Sequence, residues 1–201
     1  DCSDHEVNIK ILLGQVVANG DMTMKQRDAL LVKMTEEVAD LVLKDNYQQT
    51  QAISIMESRA LELLDQQARM MTSLEREGRL DRVIEYLPDE ETIGRRRAAG
   101  LGLTRPEIAV MLAYGKIALY SDLLESNLPD DPLLFDDLVA YFPKPLHELR
   151  EALEKHGLRR EIIAEVVTNS VINRVGASFV HDAQERTGLS AADVARAYTI
   201  T

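Results

Sequence analysis

Residues 102–124 read GLTRPEIAVMLAYGKIALYSDLL and decide the fold. Thr104 is positioned to cap a helix, Pro106 lies in the first turn, where its missing N–H costs nothing, and Glu107 completes a capping box. The helix that follows carries one apolar stripe, formed by Ile108, Leu112, Gly115, Leu119 and Leu123. Because glycine has no side chain, Gly115 would let another backbone approach this stripe closely.

The same helical spacing recurs along the rest of the chain, where apolar residues repeat at three and four rather than alternating. It predicts an all-α fold, a multi-helix bundle of antiparallel helices with short connections. The first helix is expected from Asp4 to about Ala18, and Thr23 and Thr35 are expected to cap two further, antiparallel helices. The elements expected after these are a helix over about 54–77, a short element over 80–88 closed by Pro88, two short helices within 133–157, a long helix over about 159–186, and a last helix after Ser190.

A soft boundary between Leu87 and Leu101 divides the chain into helical subdomains of residues 1–87 and 88–201, unless the two form one domain. The long helix contains a seam of residues at steps of four and three, formed by Ile162, Val166, Asn169, Asn173, Gly176 and Val180. Two amides stand there where leucines would be expected. They either fix helix register or bond a neighbouring loop, as buried asparagines do in coiled coils, or contact a ligand. The structural role is favoured.

Composition limits the function classes. The chain has 201 residues, is 45% hydrophobic, and carries a formal net charge of −11 at pH 7. It is long enough to bury a core, and its charge repels nucleic-acid phosphates and anionic lipid. No apolar run approaches the roughly 20 residues that cross a bilayer. The single cysteine makes no internal disulfide, and we expect a cytoplasmic protein that binds neither nucleic acid nor membrane.

Few residues carry a pattern typical of catalysis or cofactor binding. Cys2 and His5 form a C-x-x-H pair, but a structural zinc site needs four ligands and no second cysteine exists. The stretch GLGLTR at 100–105 has arginine where a dinucleotide-binding motif needs its third glycine, and no strand precedes it. The basic cluster at Gly94–Arg97 would grip an anion or acidic partner, although a solvated helix face is the favoured interpretation. We therefore assign no catalytic, cofactor-binding or metal residue.

Both ends of the sequence resemble cuts through a longer polypeptide. The chain starts without methionine, and residues 3–6, Ser-Asp-His-Glu, form a capping box with Ser3 as the N-cap. The last helix has no glycine stop signal. We expect an excised segment.

Six blocks of the chain resemble the large NAD-specific bacterial glutamate dehydrogenases. They are DCSDHEVNIKILL (1–13), MTEEVADLVLKDNYQQTQAIS (34–54), GLTRPEIAVMLAYGK (102–116), SNLPDDP (126–132), YFPKPL (141–146) and LRREIIAEVVTNSVINRVGASFV (158–180). The resemblance implies the end of a catalytic region followed by most of a C-terminal helical domain. The dinucleotide-binding region of that family precedes these blocks.

This resemblance also implies an activity and one site residue. The full-length protein would oxidise L-glutamate with NAD and water to 2-oxoglutarate, ammonia and NADH, and would be a homo-oligomer whose other domains contact this segment. Ser3 and Glu6 resemble a family stretch whose serine contacts the distal carboxylate of the substrate, so Ser3 is the one candidate substrate-binding residue. The family's catalytic lysine and aspartate match nothing here, and the segment alone is expected to be inactive. The alternative is a non-catalytic helical module for oligomerisation or regulation.

Overall fold

A computed structural model describes residues 2–200 of the chain, with the side chains of residues 3–199. This part contains ten α-helices and no β-strand, which confirms the all-α prediction. The helices are α1 (Cys2–Ala18), α2 (Met24–Ser58), α3 (Ala60–Arg76), α4 (Glu90–Ala98), α5 (Arg105–Glu125), α6 (Phe135–Tyr141), α7 (Arg150–Glu154), α8 (Arg159–Val175), α9 (Phe179–Thr187) and α10 (Ala191–Ile200). Short 3-10 helices span Leu128–Asp130, Pro132–Leu134 and Lys144–Leu146. The antiparallel arrangement remains a prediction.

The chain divides into two compact units that are each discontinuous in sequence. The first unit comprises the residues through Tyr47 together with Asn127–Val166, and the second comprises Gln48–Ser126 together with the residues from Val167 onward. Helices α2 and α8 each contribute residues to both units. The expected subdomains, residues 1–87 and 88–201, are each continuous in sequence and so differ from these two units. That division of the chain remains a prediction.

In the first unit, one face of α1 supplies much of the core. Ile9, Leu12, Leu13 and Val16 are buried on that face. Helix α1 packs against α7, which in turn packs against α6. Full burial of a leucine side chain contributes about 1.5–3 kcal/mol, so Leu12 and Leu13 together hold α1 firmly in this unit.

In the second unit, the predicted stripe of α5 belongs to the core, because all five of its residues are buried. An ideal Cβ on Gly115 would lie 3.1 Å from the Cβ and the carbonyl oxygen of Ala177, which confirms the predicted close approach at this glycine. Helix α10 packs against α5 and α9, and α3 packs against α4 and α9.

Hydrogen bonds at the helix starts confirm three of the predicted caps, those at Thr23, Thr104 and Ser190. The backbone N–H of Thr104 donates to Glu107 over 2.7 Å, within a complete capping box. The N–H of Thr23 donates to the Gln26 side chain over 2.9 Å, which confirms Thr23 as the cap of α2. At α10, the Asp193 N–H donates to the Ser190 hydroxyl over 3.1 Å.

Helix α2 corrects the expectation of two helices capped by Thr23 and Thr35. It runs without interruption to Ser58, because the Thr35 hydroxyl donates to the Leu31 carbonyl over 3.3 Å instead of capping a new helix. No glycine or proline lies between residues 24 and 58 to end the helix. The break falls at Arg59 instead, and the helix expected over 54–77 begins at Ala60.

The prediction of one long helix over 159–186 is also wrong, because two helices, α8 and α9, occupy this stretch. Gly176 has a φ of +93°, the left-handed conformation that ends helices, and its N–H donates to the Ile172 carbonyl over 3.0 Å. Ile163, Val167 and Ile172 of α8 are also buried, and none of them belongs to the seam. Of the seam, Ile162, Asn173 and Val180 are buried. The role of its two amides remains a prediction.

The short element expected over 80–88 is a series of turns rather than a helix. The Asp81 carboxylate accepts from the N–H groups of Val83 and Ile84, over 2.9 and 3.2 Å. Tyr86 has a φ of +55°, which is incompatible with continuing a right-handed helix.

Among the described residues, no helix is long and apolar enough to span a membrane.

Candidate functional site

Ser3, the one residue with a predicted substrate role, lies on α1 and is exposed. Because the helix already includes Cys2, Ser3 is within its first turn and is not the N-cap that the sequence predicted. An N-cap residue has a non-helical backbone, which Ser3 lacks. The exposed hydroxyl stands at the positive end of a 17-residue helix.

Directly after Ser3, α1 enters a buried polar cluster that we call the α1 clamp, formed by His5, Asn8, Tyr141, Phe142 and His156. The Asn8 side-chain amide donates to the Tyr141 hydroxyl over 2.9 Å, and His5 stacks on the Tyr141 ring with centroids 4.3 Å apart. Tyr141 and Phe142 meet edge to face at 5.1 Å. These contacts tie α1 to residues more than 130 positions away within the same unit.

His156 fixes the backbone of α1 as well. Its Nε2 is 3.1 Å from the carbonyl oxygen of Asn8, which only accepts, so Nε2 carries the proton. Its Nδ1 accepts from the N–H of Leu158 over 3.0 Å. Both ring nitrogens are therefore engaged in the neutral form, and protonating Nδ1 would break the bond to Leu158.

Burial sets the charge states of the clamp. It lowers the pKa of His5, and it lowers the pKa of His156 despite the opposing effect of the Asn8 carbonyl. Burial also raises the pKa of Tyr141, despite the hydrogen bond from Asn8. The two imidazoles are thus neutral and the phenol is protonated at pH 7. His5 belongs to the predicted C-x-x-H pair, and the side chain of its partner Cys2 lies outside the described residues.

The second unit contains a charged groove of about 590 Å³ between residues of α3, α4 and α9. Arg69 donates to Glu185 and Asp182 over 2.8 and 2.9 Å, and Arg97 pairs with Asp65. The guanidiniums on its walls are therefore largely neutralised by carboxylates of the same unit.

Within the basic cluster at Gly94–Arg97, each arginine has an internal partner. Arg96 makes a bidentate pair with Glu107 over 2.6 and 2.9 Å, and Arg95 donates to Thr92 over 3.0 Å. Arg97 makes the pair with Asp65 described above. Arg96 and Arg97 thus join α4 to other segments of the second unit, and the anion-site and solvated-face roles of the cluster remain predictions.

Arg82 was missed by the sequence analysis. It is buried and donates to the Thr72 hydroxyl over 2.7 Å and to Glu90 over 3.0 Å. The residue lies in the segment 80–88, which has no helical periodicity, so no pattern marks it. The same holds for Asn8 and Tyr141, whose pairing depends on the tertiary fold alone.

The glycines at 100–105 do not form a phosphate-binding loop. Gly100 follows α4 with a φ of +70°, and no strand precedes it. An ideal Cβ on Gly102 would lie 2.2 Å from the backbone carbon of Ala60, so this glycine is occupied by protein packing. A dinucleotide pyrophosphate needs free backbone N–H groups at such a turn. The described residues around this turn therefore do not fit NAD.

Comparison with known proteins identifies two family models along the chain. Residues 1–56 match the catalytic domain of bacterial NAD-glutamate dehydrogenase, and residues 100–201 match the C-terminal part of glutamate dehydrogenase. Ser3 and the first half of the α1 clamp lie within the catalytic-domain match. No solved structure matches the chain.

Three relatives align with the whole chain, and each is an NAD-specific glutamate dehydrogenase. The protein of Pseudomonas aeruginosa is 51% identical over 201 residues, that of Halomonas elongata is 43% identical, and that of Mycobacterium tuberculosis is 38% identical. The chain covers 12% of the length of each relative. These matches confirm the resemblance seen in the sequence blocks. The chain belongs to the bacterial NAD-specific glutamate dehydrogenase family.

Proposed function

We propose that this chain is part of an enzyme that oxidises L-glutamate with NAD and water to 2-oxoglutarate, ammonia and NADH. One observation carries the proposal: the whole chain aligns at 38–51% identity with proteins named NAD-specific glutamate dehydrogenase. NAD would bind outside this segment, since Gly102 is packed against Ala60 and no described strand precedes the glycines at 100–105. The segment itself would support the enzyme structurally and in its assembly.

Within that enzyme, Ser3 would donate a hydrogen bond to the distal carboxylate of glutamate. Its exposure, its place in the catalytic-domain match and its position in the first turn of α1 support this role. The N-terminus of a helix favours negative charge, because unpaired N–H groups and the helix dipole point outward there. The α1 clamp would hold the helix in place while the carboxylate binds.

The test is steady-state kinetics of the full-length protein with Ser3→Ala. Loss of a hydrogen bond to a charged group costs about 1.5–3 kcal/mol, which is roughly a tenfold to hundredfold fall in kcat/KM for glutamate. The KM for NAD should change little. Ser58→Ala, at an exposed serine near the end of α2, is the matched control and should leave kinetics unchanged.

A second variant separates a substrate role from a helix-stabilising one. Ser3→Asp keeps a favourable first-turn residue but repels a carboxylate ligand. We expect it to lower kcat/KM for glutamate at least as much as Ser3→Ala does. Normal glutamate kinetics in the Ser3→Asp protein would remove the substrate role.

We also propose that the full-length protein is a cytoplasmic homo-oligomer. The alternative function, a non-catalytic module for assembly or regulation, is favoured by exposed apolar residues on helices of the second unit, such as Ile117, which is 62% exposed. The two functions differ in one result. Deleting the residues from Ile9 onward destroys hydride transfer within each subunit if the segment supports catalysis, and destroys only the oligomer if it is an assembly module.

A further inference from the structure

Helix α1 is apolar on two opposite sides, although the first unit covers only one of them. The covered side carries Ile9, Leu12, Leu13 and Val16, as described above. The opposite side, which we call the outer face of α1, consists of Ser3, Val7, Ile11, Gly14 and Ala18, at steps of four and three along the helix. Val7 is 50% exposed and Ile11 is 37% exposed.

The composition of the outer face is unusual for a solvent-exposed helix surface. A surface helix is normally polar on its outer side, whereas α1 has exposed charges only between its two apolar sides, at Asp4, Glu6 and Lys10. Gly14 costs about 1 kcal/mol in a helix interior relative to alanine. An ideal Cβ on Gly14 would meet nothing within 4 Å, so no described neighbour requires this glycine. A close-packed partner on the outer face would account for both features.

Exposed apolar side chains are concentrated in the part of the chain that contains α1. Seven of the large apolar residues exposed in the described part lie within residues 1–56, and ten lie in the much longer remainder. Residues 1–56 are also the part that matches the catalytic-domain family. The relatives extend far beyond this chain, which covers 12% of their length. The relatives therefore contain a large amount of protein besides the part that aligns with this segment.

The size of the outer face favours a partner within the same polypeptide over a second copy. A 17-residue helix is about 25 Å long, and a face about 10 Å wide offers roughly 250 Å². A stable dimer needs about 800 Å² from each partner, because association costs translational and rotational freedom. Packing between parts of one polypeptide avoids most of that cost.

We propose that the outer face of α1 is covered by the remainder of the catalytic domain of the same polypeptide, which buries Val7 and Ile11 and accepts the close approach at Gly14. This inference rests on the proposed function, because it places Ser3 at the edge of that interface. It identifies α1 as a helix packed on two sides, held by the clamp on one and by the catalytic domain on the other.

The experiment measures thiol labelling of the full-length protein with a maleimide, with the modified peptide quantified by mass spectrometry. The variants are Val7→Cys and, as a second position on the outer face, Ile11→Cys. The matched control is Leu61→Cys, since Leu61 is 49% exposed on α3 and lies outside residues 1–56. Each labelling rate is compared with that of the same variant in denaturant, which corrects for the intrinsic reactivity of the thiol.

We expect Val7→Cys and Ile11→Cys to label at least about tenfold more slowly in the native protein than in the denatured one, with Leu61→Cys slowed far less. Protection should not change with protein concentration. Labelling as fast as at Leu61→Cys overturns the inference, and so does protection that disappears on dilution, which would indicate a second copy. Because labelling requires no turnover, a failure here is distinct from a failure of the proposed activity.

Discussion

Gly102 offers the sharpest test of the packing in the second unit. An ideal Cβ at this position would lie 2.2 Å from the backbone carbon of Ala60, 2.4 Å from its carbonyl oxygen and 2.5 Å from its Cβ. Ordinary van der Waals contact begins near 3.4 Å, so Gly102→Ala must push the two backbones apart by roughly 1 Å. Neither segment has a flexible side-chain end that would absorb this displacement.

The expected cost follows from that displacement. Overpacking of a close-packed site typically costs about 1–3 kcal/mol, and the entropic gain of replacing glycine returns about 0.4–1 kcal/mol. Because the clash is with backbone atoms, the overpacking cost should lie in the upper half of its range, about 2–3 kcal/mol. We therefore expect Gly102→Ala to lower the free energy of unfolding by about 1–2.6 kcal/mol. Gly94→Ala is the control, because Gly94 lies inside α4 and its ideal Cβ meets nothing within 4 Å. That change should raise the free energy of unfolding by about 0.5–1 kcal/mol.

Urea unfolding of the 201-residue chain, followed by circular dichroism at constant protein concentration, measures both variants. We expect these two chemically identical substitutions to change the free energy of unfolding in opposite directions. A Gly102→Ala chain that is as stable as the parent, or as stable as Gly94→Ala, would refute the close approach between Gly102 and Ala60.

Three further predictions concern buried polar residues. In a double-mutant cycle, Asn8→Ala and Tyr141→Phe should couple by about 0.5–1.5 kcal/mol in unfolding free energy, and zero coupling would exclude their hydrogen bond. Because burial lowers the pKa of His156 below 6.5, the unfolded chain binds that proton more readily. Stability measured by urea titration should therefore fall as the pH drops below 6.5, and His156→Gln should flatten the fall; an unchanged slope contradicts this. Asn173→Leu should alter stability or association and leave full-length turnover mostly intact, whereas lost turnover with unchanged melting would indicate a ligand.

Local features of the fold were predictable wherever a residue acts on its own neighbours. The capping boxes at Thr23 and Thr104 satisfy N–H groups three residues away, so sequence spacing alone identifies them. The stripe of α5 and the close approach at Gly115 follow from helical periodicity and from the size of one residue. These are the predictions that the structure confirms most exactly.

Features that depend on the tertiary fold were not predictable from one sequence. Thr35 is a residue type that often caps helices. Its hydroxyl instead donates to the carbonyl four residues earlier, because the chain before it stays helical. The break at Arg59 carries no glycine or proline, and the α1 clamp joins residues with no shared pattern. Gly176 is a residue type that often ends helices, and it could have predicted the end of α8. The apolar seam continues on both sides of this glycine and favoured one unbroken helix instead.

The proposed function is a statement about the chemistry of the full-length protein. The most direct measurement mixes that protein with L-glutamate and NAD and follows NADH by absorbance and ammonia by a separate assay. We expect NADH and ammonia to form in equal amounts, and only when glutamate and NAD are both present. A purified, folded full-length protein that forms no glutamate-dependent NADH would contradict it.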